Sequence, residues 1–79
     1  MNTKFKRHQL VKILKSPEKE YIEYHNEDDN DFKEIPIIAG MQGKINIILP
    51  NGKYHVEILD KKGKILAYAP FEEDELEAI

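Results

Sequence analysis

The densest run of oxygen ligands in the chain is Glu27-Asp28-Asp29-Asn30-Asp31. Carboxylates this close together could hold a divalent cation. The run does not fit a calcium-binding helix–loop–helix loop. With Glu27 as first ligand, Phe32 stands where the sharp-turn glycine belongs, and no Glu closes the site at the right distance. A solvated loop is the expectation, with no metal.

His8, His25 and His55 are widely spaced and form no His-x-x-x-His pair. His55 falls in mid-strand, where a cross-strand polar contact is expected rather than ligation. Ser16 is followed by Pro17, and nothing nearby suggests a base or an oxyanion hole for a nucleophile. The carboxylates Glu72, Glu73, Asp74, Glu75 and Glu77 lie in a run, not face to face across a cleft, so paired acid–base work is not expected. Gly40-Met41-Gln42-Gly43 lacks the Lys and the following helix of a phosphate loop. The chain therefore reads as non-enzymatic, without a cofactor. Tyr21 and Tyr24 carry two readings. They cover one open end of the fold, or they form an exposed aromatic pair beside the acidic run, the composition of a protein-docking hot spot.

The elements that would carry these residues are short strands. Residues 10–14 (Leu-Val-Lys-Ile-Leu) read as a first strand that Ser16-Pro17 ends. Residues 17–24 read either as an extended continuation or as one helical turn capped by Ser16. Residues 35–38 re-enter the core as an edge segment, and Gly40 and Gly43 supply positive φ before the second strand. That strand spans 44–49. Asn51-Gly52 predicts a tight type I′ hairpin. The third strand alternates, with Tyr54, Val56 and Ile58 on one face and His55, Glu57 and Leu59 on the other. Asp60-Lys61-Lys62-Gly63 is a second turn, the fourth strand spans 64–69, and Pro70 stops it. Residues 72–75 suggest a single tight helical turn, after which Leu76 and Ile79 return to the sheet.

This order predicts an all-β fold: a small, five-stranded, SH3-like antiparallel barrel, partly open. A short helical turn precedes the last strand, and a long acidic loop, about residues 16–38, follows the first. The predicted core is Val11, Ile13, Ile38, Ile45, Ile47, Val56, Ile58, Ile65, Ala67 and Leu76. Residues 1–79 form one domain, and a core this small supplies only about 3–5 kcal/mol.

Composition bounds the function further. The chain has no Cys, which excludes disulfides and thiolate chemistry. A secreted domain of this size usually needs disulfides, so a cytoplasmic location is expected. No apolar stretch suits a signal peptide or a membrane span. The formal charge is −3 and blocked. Residues 1–15 carry five cations and no acid, residues 16–34 carry eight acids against two Lys, and the end is acidic again. Net acidity argues against nucleic acid as the main ligand.

Residues 43–45 (Gly-Lys-Ile), 54–58 (Tyr-His-Val-Glu-Ile), 60–63 (Asp-Lys-Lys-Gly) and 74–77 (Asp-Glu-Leu-Glu) resemble a family of small bacterial SH3-like-barrel domains of unknown function. That family shows a G-x-G-x-V opening, then Y-x-V-E-F-x-D-x-x-G, and an x-D-x-L ending. More distantly, residues 11–14 (Val-Lys-Ile-Leu), a Gly-led second strand and residues 73–76 (Glu-Asp-Glu-Leu) are similar to the SH3-like accessory chains of electron-transfer complexes. The E subunit of photosystem I and the variable chain of ferredoxin–thioredoxin reductase are examples. The resemblance covers the second half of the chain plus the first strand, and its motifs mostly determine fold. It implies a non-catalytic accessory protein that docks on a larger one. The chain departs from the family between Ser16 and Ile38, where the acidic insert stands.

The leading expectation is thus a binding module, a monomer or weak homodimer. Tyr21, Tyr24, Glu27, Asp28, Asp29 and Asp31 form the contact with a protein partner, helped by Glu73, Asp74 and Glu75. One alternative is an antitoxin, immunity or phage-type inhibitor protein that blocks a basic site. Another is a nucleic-acid-binding module using the basic start with Lys44, Lys53, Lys61, Lys62 and Lys64.

Overall fold

The computed structural model describes residues 4–25 and 36–79. The acidic run of the insert lies outside the described residues. The chain is all-β, with six antiparallel strands in one open sheet: β1 (Leu10–Ile13), β2 (Glu23–Tyr24), β3 (Gln42–Ile48), β4 (Tyr54–Leu59), β5 (Ile65–Phe71) and β6 (Leu76–Ala78). Their spatial order is β2-β5-β4-β3-β1-β6. Two 3-10 turns, Lys19–Tyr21 and Glu73–Glu75, stand before β2 and β6. No helix among the described residues is long and apolar enough to cross a membrane.

Six strands replace the expected five. The extra one is β2, which pairs Glu23 with Tyr68 and Tyr24 with Ala67. Two residues have no detectable period, and β5 alone gives them an extended partner. The segment before β2 realises both sequence expectations in turn. It makes one tight turn, with Glu18 rather than Ser16 at the cap position, and then extends. Ser16 instead accepts a hydrogen bond at Oγ from the Ala39 amide (3.0 Å), tying the two ends of the insert together.

The core lies on the face of β4 that carries Tyr54, Val56 and Ile58. Seven of the predicted core positions hold and three do not. Ile38 is 56% exposed, and Ile37 is buried in its place. No strand forms at 36–38 to impose alternation there. Ile47 is turned out by a bulge. Ile45 pairs with Val56 and Ile47 with His55, so Asn46 is the extra residue and Ile48, opposite Tyr54, takes the inward place. Ile65 is half-buried for a related reason. A second irregularity puts Leu66 between the pairs Leu59–Ile65 and Ile58–Ala67, leaving Ile65 beside Leu59, which is buried outside the main core cluster. Phe5, Ala69 and Phe71 complete the core. Phe5 stands alone among cations, so its burial has no signature in the sequence.

Both hairpins use the same loop. Leu49 donates to the Lys53 carbonyl and Gly52 to the Leu49 carbonyl. Asp60 and Gly63 repeat this with Lys64 and Asp60. Gly52 (φ 85°) and Gly63 (φ 84°) take the left-handed position. The first loop is therefore not the expected type I′ turn, because Asn51 keeps a negative φ. Pro50 locks φ near −65°, which suits the first corner of a type I turn and moves the left-handed residue on to glycine. Asn51 serves through its side chain, accepting from the Lys53 amide (3.1 Å).

Gly43 has a different use from the one expected. Its φ is not positive. A Cβ there would stand 2.6 Å from Val56 Cγ1 and 3.2 Å from the Glu57 carbonyl oxygen, so β3 and β4 approach only because it is absent. Nor does Pro70 end β5. The strand runs to Phe71, with Pro70 opposite His55. Beyond Tyr68, β5 has no second neighbour among the described residues, so a missing N–H on that open side leaves no ladder incomplete.

Candidate functional site

The residues expected to form one contact surface fall into three places. Tyr21 ends the first 3-10 turn and is 59% exposed. Tyr24, on β2, is half-buried and packs against the core. Tyr24 is therefore not a fully exposed counterpart of Tyr21. Glu27, Asp28, Asp29 and Asp31 lie outside the described residues. Glu73, Asp74 and Glu75 form the second 3-10 turn.

The fold brings Tyr21 to that second turn. A groove of about 320 Å³ runs between them. Pro17, Tyr21, Pro70 and Phe71 supply its apolar lining. Glu18, Glu72 and Glu75 supply carboxylates, and Lys15 and Lys53 supply cations. Reasoning from the sequence missed Pro17, Pro70, Glu18 and Glu72 as site residues. Pro17 and Pro70 do stand out in the sequence, as strand-ending signals. Only the packing makes them opposite walls of one groove.

The 72–75 turn is held rigidly. Glu72 and Glu75 form a capping box: each side chain accepts from the other residue's amide, and Glu72 N donates to Glu75 Oε1 at 2.8 Å. That amide, together with Lys15 Nζ at 3.2 Å, holds the Glu75 carboxyl below the ordinary carboxylate range. Glu73 is tied inward. The Tyr54 hydroxyl donates to Glu73 Oε2 (2.7 Å), and the Lys4 amide donates to the same oxygen (3.2 Å). The Tyr54 bond is the larger cause of a lowered Glu73 carboxyl pKa. The Phe5 amide donates to the same tyrosine oxygen (3.3 Å), and the Phe5 and Tyr54 rings meet edge to face with centroids 5.4 Å apart. Burial first, then Glu73, raises the Tyr54 hydroxyl pKa. Of the three acids expected in a contact, Glu73 thus has a structural duty, Glu75 is already paired, and Asp74 carries no ion pair among the described residues.

A second cleft, about 430 Å³, continues from the first. The two share Lys53 and Glu72. The second adds Lys4, Asn51, Gly52, Glu73 and Asp74.

The other candidate chemistries are placed as follows. His55 makes the expected cross-strand contact, accepting at Nδ1 from the Asn46 amide group (3.0 Å) and stacking on Tyr68. His25 Nδ1 lies 3.3 Å from the Tyr68 hydroxyl. Among the described residues, no group of three or more His, Asp or Glu side chains gathers to hold a metal ion. The lysines considered for nucleic acid are split. Lys53 follows the hairpin at one end of β4, while Lys61, Lys62 and Lys64 belong to the hairpin at its other end. Six strand residues, roughly 20 Å, separate them. Lys44 sits opposite Glu57.

No family model, curated protein or solved structure matches the chain.

Proposed function

We propose that the chain is a non-enzymatic, cytoplasmic accessory module that docks on a larger protein. The groove between the two 3-10 turns is its contact surface. The observation that carries this reading is Tyr21. A large aromatic ring stands mostly exposed on a turn, between two prolines and beside three carboxylates. Exposed aromatics at a groove are the residues that dominate protein interfaces. Prolines and a capped turn lose little freedom on binding, which favours preorganised recognition. The acidic run Glu27, Asp28, Asp29 and Asp31 follows the Tyr21 turn in the chain and adds steering charge towards a basic partner.

An SH3-like barrel is the finer fold that goes with this proposal. Three features support it: the three-strand meander of β3, β4 and β5, the pairing of β1 with both β3 and β6, and the 3-10 turn before β6. The resemblance to SH3-like accessory chains points the same way.

The test is affinity purification of the tagged chain from its native host with quantitative mass spectrometry. Wild type is compared with Tyr21→Ala and with an Asp28/Asp29/Asp31→Lys variant. One protein lost selectively from Tyr21→Ala supports the groove, and its loss from the charge variant adds the insert. Equal recovery in all three sinks the reading.

A further inference from the structure

We infer that the two adjoining clefts form one bipartite channel for an extended basic segment of the partner, an inference that rests on the docking reading above. Lys53 and Glu72 line both clefts, so the surface is continuous. Its two halves differ in chemistry. One half offers apolar surface from Pro17, Tyr21, Pro70 and Phe71 between charged rims. The other presents Glu72, Glu73 and Asp74 beside the Asn51-Gly52 loop.

The charge inventory selects the occupant. Lys15 is consumed by Glu75 at 3.2 Å. Glu73 is consumed by the Tyr54 hydroxyl and the Lys4 amide. Across the joined clefts Glu18, Glu72, Glu73, Asp74 and Glu75 outnumber Lys4, Lys15 and Lys53, so the surface is acidic on balance. On the second half Glu72, which also accepts the Glu75 amide, and Asp74 are exposed carboxylates beside Lys4 and Lys53. A segment with a proline or aliphatic residue next to a Lys or Arg satisfies both halves. A segment carrying a carboxylate at the second position meets Glu72 and Asp74 and is repelled. The continuity also explains why one rigid turn serves both halves. Pro70 and Phe71 lead into it on the apolar side, and its capping box fixes the acidic side.

The probe is a random peptide library displayed on phage and selected on the immobilised full chain at low salt. The expected winners place Lys or Arg beside Pro, Leu, Ile or Val. Affinities of a winning peptide are then measured by fluorescence anisotropy. The Glu72→Gln/Asp74→Asn double variant weakens binding about fivefold, as two rim charges permit. Gln keeps an oxygen for the cap, and a melting curve checks that each variant folds. Tyr21→Ala abolishes the selection. Lys53→Ala tightens binding, a gain that a purely structural role for this lysine does not produce. Amide shifts in NMR fall on Tyr21, Phe71, Glu72 and Asp74 together.

Three outcomes overturn the inference: winners without a cation, affinity indifferent to the Glu72/Asp74 variant, or no enrichment at all. If the host partner is still lost from Tyr21→Ala in those cases, docking at the groove stands and only the bipartite basic ligand is discarded.

Discussion

At the residue scale, the most connected group is the Tyr54 hydroxyl. It accepts from the Phe5 amide and donates to Glu73, so one oxygen joins the start of the chain, β4 and the last turn. Tyr54→Phe keeps the ring packing against Phe5 but removes the acceptor of a buried amide. The expected loss is about 1–3 kcal/mol, read from urea unfolding. The carboxylates of Asp60, Glu73 and Glu75 all have lowered pKa values, from backbone and side-chain donors that exist only in the folded state. A group with a depressed folded pKa contributes stability above its unfolded pKa and loses it as pH falls through the folded one. Unfolding midpoints should therefore hold from neutral pH down to the ordinary carboxylate range, about 4, and fall below it. Glu73→Gln should shrink that acid drop, and an unchanged drop in this variant would remove Glu73 from the account. The raised Tyr54 pKa has the opposite sense. Its stabilisation is complete below the unfolded tyrosine value, about 10, and is lost as pH rises through the folded one.

At the element scale, the sheet depends on single residues that break its regularity. Asn46 and Leu66 are extra residues that reset which side chains face the core. They bend the strands and increase local twist, as a small curved sheet requires. Gly43 sets how closely β3 approaches β4. Gly43→Ala drives a methyl into Val56 Cγ1 and the Glu57 carbonyl. The expected cost is about 1–3 kcal/mol from overpacking. Gly63→Ala meets open space and pays only for its positive φ, about 1–2 kcal/mol. Paired with Val56→Ala, Gly43→Ala should recover much of its loss, while Gly63→Ala should not. A thermal double-mutant cycle reads the difference.

At the scale of the whole molecule, the core and the candidate groove are carried by different parts. β4 is paired on both sides, by β3 and β5, and holds the centre of the core. β2 and β6 are edges of three residues or fewer. Amide hydrogen exchange should be slowest in β4 and fastest among the strands in β2 and β6. Comparable protection in β2 and β4 would contradict this order. Tyr21 projects from the edge of this frame, so Tyr21→Ala should leave the melting temperature within about 2 °C of wild type while removing partner binding.

The sequence by itself determined what local chemistry can determine. Alternation along 54–58 set which face of β4 is inside. Glycine at 52 and 63 set both hairpin loops, and Glu72 with Glu75 set the final turn, because each signal acts within a few residues. The tertiary structure alone decided the rest. Phe5 became core because Tyr54, far along the chain, offered it a partner. Residues 23 and 24 became a strand because β5 lay open beside them. Ile47 faced outward because one bulge reversed the alternation beyond it. The candidate groove arose in the same way: Pro17 and Tyr21 lie some fifty residues from Pro70 and Glu72, and nothing in either segment encodes the distance to the other. Their meeting is a property of the sheet, whose long-range pairings bring chain-distant walls together.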